Sequence, residues 1–181
     1  MQYDGLLKRA VLDGYEEVIC VDPGTTDSGV VMLKNTEEGF KIIVADKVSN
    51  NFLFWLVESS NVHKCLMLVE KIVLHSGAGA ETASTIFASG NLHSLAKKSG
   101  FQVLYGTRSA VKKSLVNAVN GIKDKHIREK CILEFGKEIV GCKFERLGKG
   151  SKPGRLSKDM WSALALFLAC VADRDQFKEI Y

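Results

Sequence analysis

The feature that most constrains this chain is a run of four apolar residues that stops on an acid: V-I-C-V-D-P-G-T-T-D-S-G-V-V, with Asp22 directly after Val18–Val21. An apolar run this short, bounded by Pro and Gly, is a buried strand rather than a helix. The strand covers Glu17 to Val21, and Asp22 to Ser28 is turn chemistry. Gly29 to Lys34 is apolar and β-branched, a second strand; Asn35 to Gly39 makes a hairpin turn, and Phe40 to Asp46 a third strand. Three strands joined by short turns form an antiparallel meander.

The rest of the chain alternates. Asn50 to Ser59 has apolar residues at helical spacing; His63 to Glu70 (H-K-C-L-M-L-V-E) is a fourth strand that also ends on an acid. Leu74 to Ala80 is a flexible loop, Glu81 to Ser99 a long helix stopped by Gly100, and Gln102 to Tyr105 a fifth strand. Ser109 to Val116 and Ile122 to Phe135 are helices, Arg146 to Ser157 a mobile loop (it contains G-K-G-S-K-P-G), and Lys158 to Ala172 a final apolar helix. Residues 4–12 suit a short amphipathic helix within an N-terminal extension, 1–15. A meander followed by alternating helices and strands implies an α/β fold with a mixed sheet covered by helices on both faces. A chain of 181 residues is the size of one domain, 1–181.

Three acids stand where chemistry is plausible: Asp22 and Glu70 at strand ends, and Asp159 at the start of an apolar helix. A carboxylate at a strand end is fixed by rigid backbone at the edge of the core. Several brought together do not all stay ionised without a cation. Hard divalent ions such as Mg²⁺ take oxygen ligands and keep positions open for phosphate oxygens, and two of them support phosphodiester hydrolysis. Two of them also have a plain structural use, an Asx turn at Asp22 and a helix N-terminal acid at Asp159. Glu70, after four apolar residues, is harder to explain that way, because a half-buried acid wants a partner.

Net charge is a modest +4, but the cations are bunched. Between Arg108 and Lys130 basic residues outnumber acidic ones seven to two, and from Arg146 to Lys158 there are five and no acids. Local excess of this kind suits a polyanion. Five cysteines in no C-x-x-C arrangement suggest buried free thiols in a reducing compartment. No apolar run approaches a membrane span and the start lacks the apolar core of a signal peptide, so the expected location is cytoplasmic, in the nucleoid or, for a viral protein, the host cytoplasm.

At these residues the chain resembles the RuvC family of Holliday junction resolvases. V-I-C-V-D-P-G-T-T-D-S-G-V-V resembles the family's first hairpin, L-M-L-V-E-K-I-V its fourth strand, and D-M-W-S-A-L-A-L-F-L-A its last catalytic helix, over about Glu17 to Val171. The resemblance implies a ribonuclease H-like fold with a five-stranded mixed sheet in which the Asp22 strand lies beside the Glu70 strand. It implies a homodimer that makes paired nicks across four-way or other branched DNA, with two Mg²⁺ per site (Mn²⁺ substituting) and 5′-phosphate and 3′-hydroxyl ends. The metal ligands would be Asp22, Glu70, Asp159 and, where the family usually has a second acid, Ser162; Asp27 is a further acid in the same hairpin. Lys112 and Lys125 match the family's active-site lysines, Lys112 in a catalytic role. Arg108, Lys113, Lys152 and Arg155 are further DNA-binding positions, and His75 stands in the loop where the family often has an aromatic. The dimer would use the long helix after the fourth strand.

Two other classes share parts of this pattern. D-P-G-T-T-D-S-G also looks like the phosphate turn of sugar kinases and actin-like ATPases, but these need two lobes and this chain supplies one, so no nucleotide cofactor and no membrane partner is expected. With Ser162 in place of an acid, a protein that binds branched DNA but cuts it weakly is the second reading. A related nuclease acting on flaps, forks or hybrids is the third.

Overall fold

The computed structural model describes residues 12, 14–60, 64–74, 79–148 and 151–179. Strands β1 (Glu17–Asp22), β2 (Asp27–Thr36) and β3 (Gly39–Ser49) form the expected meander. Helix α1 (Asn50–Ser59) starts where the Ser49 hydroxyl accepts from the Phe52 N–H at 3.3 Å. Then follow β4 (Cys65–Lys71), α2 (Ala80–Lys98), β5 (Gln102–Thr107), α3 (Arg108–Val116), α4 (Asp124–Phe135) and α5 (Lys158–Ala172). The sheet has five strands in the order β3-β2-β1-β4-β5, with β1, β4 and β5 mutually parallel. The α/β architecture and mixed five-stranded sheet expected from the sequence are the ones observed.

Side-chain alternation along the strands sorts the core into two layers. Val18 and Cys20 of β1 and Leu66 and Leu68 of β4 point to one face, where they meet α5 and the buried residues Val111 of α3 and Ile127 of α4. Ile19, Val21, Met67 and Val69 point to the other, against Leu53 and Val57 of α1 and Leu92 and Ala96 of α2. Helix α5 is buried from Met160 through Val171, and Phe167 meets Phe40 edge-on at 5.2 Å between ring centroids. A helix apolar on every side sits inside the protein rather than on it. Among the described residues no helix is long and apolar enough to cross a membrane.

Both outer strands are partly covered, which blunts the pairing hazard of open sheet edges. Tyr105 of β5 exchanges two backbone hydrogen bonds with Lys178, at 2.9 and 3.0 Å. On the opposite edge Ala45 of β3 donates to the Glu145 carbonyl at 3.1 Å.

Several boundaries differ from the sequence reading. Strand β5 runs on to Thr107 because Gly106 and Thr107 pair with Glu70 and Lys71 of β4. The β2–β3 turn is tighter than Asn35–Gly39, since Thr36 pairs with Gly39 and the Thr36 hydroxyl donates to the Gly39 carbonyl at 2.6 Å. The loop expected to be mobile after Arg146 is tied down wherever it is described. Phe144 and Gly154 exchange backbone hydrogen bonds, and the Arg146 guanidinium donates to the carbonyls of Ala45 and Arg155 at 2.6 and 2.9 Å. Arg146 is therefore a structural cation with a side chain 14% exposed, not one of a free basic run. The five thiols are unpaired, four of them buried and Cys142 partly so. The expected helix at 4–12 lies, apart from buried Leu12, outside the described residues.

Candidate active site

Strands β1 and β4 are parallel with Val21 opposite Val69, so the next residues, Asp22 and Glu70, come side by side at the C-terminal end of the sheet. By alternation both acids share a face with Cys20 and Leu68, the face that packs on α5. Two carboxyl groups taken out of water and set together resist ionisation. Burial, then the neighbouring Glu70, pushes Asp22 up to about 7, and Asp159 adds to the effect. Arg108 and the hydroxyl of Ser162, which donates to Asp22, act in the opposite direction. Glu70 is likewise raised, by burial first, while Arg108 and Lys112 lower it.

The third acid arrives from α5. The N-terminus of that helix rests on Gly29, which pairs with Asp22 on one side and with Lys47 of β3 on the other. A Cβ on Gly29 would stand 2.6–2.8 Å from the backbone and Cβ of Asp159, so only glycine permits the approach. Ser162 follows one helical turn after Asp159 and faces the same way, buried at 7% exposure. The loop after Asp22 is held from behind by buried Asn50, whose amide donates to the carbonyls of Gly24 and Thr25 at 3.0 and 3.2 Å. Its amide oxygen accepts from Ser28 at 2.7 Å.

Cations complete the picture. Thr107 caps α3 through the Ala110 N–H at 3.1 Å, which sets Arg108 at the first helical position. From there Arg108 reaches Glu70 at 3.4 Å and also binds Asp124 of α4. Lys112, one turn further, acts on both of those acids. Lys47 holds Asp159 at 2.9 Å. Beside Ser162 a groove of about 350 Å³ opens between α4 and α5, lined by Arg108, Lys125, Arg128, Lys158 and Trp161 among others.

No family model and no curated protein matches the sequence. Solved structures do match. Thermus thermophilus RuvC superposes with a TM-score of 0.63 at 16% identity, covering 91% of this chain and 99% of that one. The same protein in complex with a Holliday junction substrate gives 0.63 at 16% identity, over 92% and 100%. The yeast mitochondrial Holliday junction resolvase gives 0.54 at 13%, over 94% and 87%. The fold is that of the RuvC resolvases. It is a ribonuclease H-like fold, and the sequence resemblance carried by the three acid-bearing segments pointed to it.

Within this RuvC-type fold, the sequence-predicted residues are placed as follows. Asp22, Glu70, Asp159 and Ser162 gather at one end of the sheet, with Arg108 and Lys112 beside them. Lys125 is exposed on the groove wall. Lys113, Lys152 and Arg155 are exposed and form no ion pair among the described residues. Asp27 is exposed and accepts from the Thr26 hydroxyl at 3.3 Å. His75 lies outside the described residues. Arg108, expected to meet DNA, is engaged with two acids of its own chain.

The donor set suits a hard divalent cation: carboxylate and hydroxyl oxygens, two of the acids raised by burial first and incompletely offset by Arg108. Among the described residues, however, no three His, Cys, Asp or Glu side chains meet tightly enough to hold an ion as they lie. Arg108 and Lys47 occupy the carboxylates instead, with side chains 27% and 49% exposed. The fit is thus one of donor chemistry and placement at one end of the sheet.

Sequence reasoning missed Lys47, Asp124, Gly29 and Asn50. Only Gly29 carried a readable signal, a glycine inside an otherwise β-branched strand, which marks close approach of another backbone. The other three depend on register and packing across the sheet.

Two outcomes follow. Gly29→Ala must displace the start of α5, so Asp159 and Ser162 leave Asp22; we expect a folded protein, by circular dichroism, whose melting temperature no longer responds to Mg²⁺. Second, an unfolded Asp ionises near 3.8 and Asp22 in the fold near 7. The folded state then holds the extra proton between those values, and stability falls as pH rises through that window. Asp22→Asn in metal-free buffer should therefore raise the melting temperature at pH 8 by several degrees and leave it nearly unchanged at pH 4.

Proposed function

We propose that this chain is a branched-DNA endonuclease that resolves four-way junctions by metal-dependent paired nicking, leaving 5′-phosphate and 3′-hydroxyl ends. The observation that carries the reading is the convergence of Asp22, Glu70, Asp159 and Ser162 at one sheet end, next to a cation-lined groove. The RuvC-type fold supports it, since a protein of that fold is known in complex with a Holliday junction substrate.

In this reading Asp22, Glu70 and Asp159, with Ser162 as a neutral fourth donor, hold two Mg²⁺ or Mn²⁺ ions. Bound there, such ions neutralise the carboxylates and supply the charge that activates water and stabilises the leaving oxygen in phosphodiester hydrolysis. The chain's own residues do the rest. Lys112 positions the scissile phosphate from the side of Glu70 and offsets the charge that builds up on its oxygens. Arg108 exchanges Glu70 for substrate phosphate. Lys113, Lys125, Lys152 and Arg155 supply sequence-independent grip on the backbone, which makes binding salt-dependent. Asn50 keeps the Gly24–Thr26 turn, and with it Asp22, in register.

Two like strands cut symmetrically call for a two-fold protein. Helix α2 suits the interface: Phe87 projects from it 72% exposed, among small residues that permit close helix approach. The reading of a branched-DNA binder with weak cutting is favoured by one observation, that Arg108 and Lys47 already hold Glu70 and Asp159.

A synthetic four-way junction in Mg²⁺ or Mn²⁺ tests the proposal. Wild type is expected to nick symmetric strands to ligatable products, while Asp22→Asn and Glu70→Gln still shift the junction in a gel but cut at least a hundred-fold more slowly. Lys112→Ala and Lys125→Ala should cut more slowly, with a flatter dependence on salt. Binding without nicking by wild type selects the weak-cutting reading. In sedimentation, Phe87→Asp should convert a dimer to a monomer; a monomeric wild type rejects the interface.

A further inference from the structure

The groove beside Ser162 has a construction that phosphate binding alone does not require. Its cations are Arg108, Lys125, Arg128 and Lys158, and its apolar lining is Ile127, Leu156 and Trp161. Arg108 and Lys158 are both drawn to Asp124, Lys158 at 3.7 Å, which leaves Lys125 and Arg128 without an ion pair among the described residues. The Arg128 guanidinium lies over the Trp161 ring, 5.1 Å from its centroid. Trp161 itself is buried, at 7% exposure, whereas Arg128 is exposed. The indole therefore backs the guanidinium, and both side chains line the groove. A planar cation supported by a ring can offer the stacking surface that an unpaired base prefers. Trp161 and Ser162 are adjacent in α5, so this surface stands one residue from the hydroxyl that donates to Asp22.

We propose that this groove is a nucleotide subsite: it receives one unpaired deoxynucleotide of the strand being cut, next to the scissile phosphate, with its base stacked on Arg128 and its phosphate held by Lys125. The inference rests on the nuclease reading for its place in the reaction, but not for its chemistry. A groove of about 350 Å³ has the size of a small-ligand site and not of a duplex. A base enters it only when unstacked, which selects strands at branch points, where the continuous stack is interrupted and opening a base costs less. Arg128 is thus a specificity residue, distinct from the acids.

The chain has two tryptophans, so Trp55→Phe leaves Trp161 as the sole emitter. In EDTA and low salt, this protein is titrated with a labelled oligothymidylate, a duplex and a four-way junction. Trp161 emission is expected to change saturably with the single strand and with the junction, but not with the duplex at equal concentration. Arg128→Ala should lose that change and weaken single-strand binding, read by anisotropy, about ten-fold. Arg128→Lys, which keeps the charge and discards the plane, should lose the emission change as well. Because Arg128 is exposed, unchanged melting curves are expected for both variants. An emission response that survives in Arg128→Ala or Arg128→Lys, equal response to duplex, or none to the single strand overturns the subsite. The junction gel shift is independent: its failure removes the branched-DNA reading, while the single-strand titration still decides the groove.

Discussion

The structure turns on two carboxyl groups that the sheet forces together. Parallel pairing of β1 with β4 leaves Asp22 and Glu70 no choice of neighbour, and strand alternation points both at α5. Such a pair is a local cost that a fold selected for stability alone would avoid by placing apolar residues there. Everything around it offsets part of the cost. Arg108 reaches Glu70 from the start of α3, and Ser162 donates to Asp22 from α5. Lys47 meets Asp159 from β3. Compensation comes from three different elements, and none of it removes the upward shift of either acid. Under the proposed function, a bound divalent cation would supply the rest.

Placement is achieved by backbone contacts rather than by the charged groups themselves. Gly29 lets the α5 terminus settle on the β1–β2 hairpin, and Asn50 fastens the turn that follows Asp22. Arg146 does the same for the segment leading into α5, tying it to β3 through the Ala45 carbonyl and to Arg155. Its guanidinium also lies 3.2 Å from the Met160 sulfur, which ties the first turn of α5 to the same anchor. Misplacement of that turn by an ångström would move Asp159 and Ser162 together, since both ride on one rigid helix.

Much of this was legible in the sequence because it depends on local pattern. Short apolar runs ending on Asp22 and Glu70 reveal strands whose ends carry acids, and a continuous apolar helix after Lys158 can only be central. The adjacency of the Asp22 and Glu70 strands came only from the family resemblance, and the partners of each cation were not legible, because they depend on register between distant segments. Arg146 and Arg108 show the difference. Both fall in basic stretches that invite a polyanion, yet one spans β3 and the 144–157 segment and the other bridges Glu70 and Asp124. Composition counts a guanidinium as charge; only the fold says whether that charge is already spoken for.

The same distinction decides what the surface offers a ligand. Once internally paired cations are set aside, the basic residues still exposed include Lys113 on α3, Lys125 and Arg128 on α4, and Lys152 and Arg155 before α5. Lys125 and Arg128 line the groove at Ser162, and Lys152 and Arg155 belong to the segment that leads into the same helix α5. Net charge of +4 would draw a polyanion only weakly if it were spread evenly. Under the proposed function, the exposed cations at the groove would draw a phosphate chain toward the crowded carboxylates, and a divalent cation between the two would offset the repulsion. In that reading the raised acids and the cation-lined groove are complementary halves of one electrostatic arrangement.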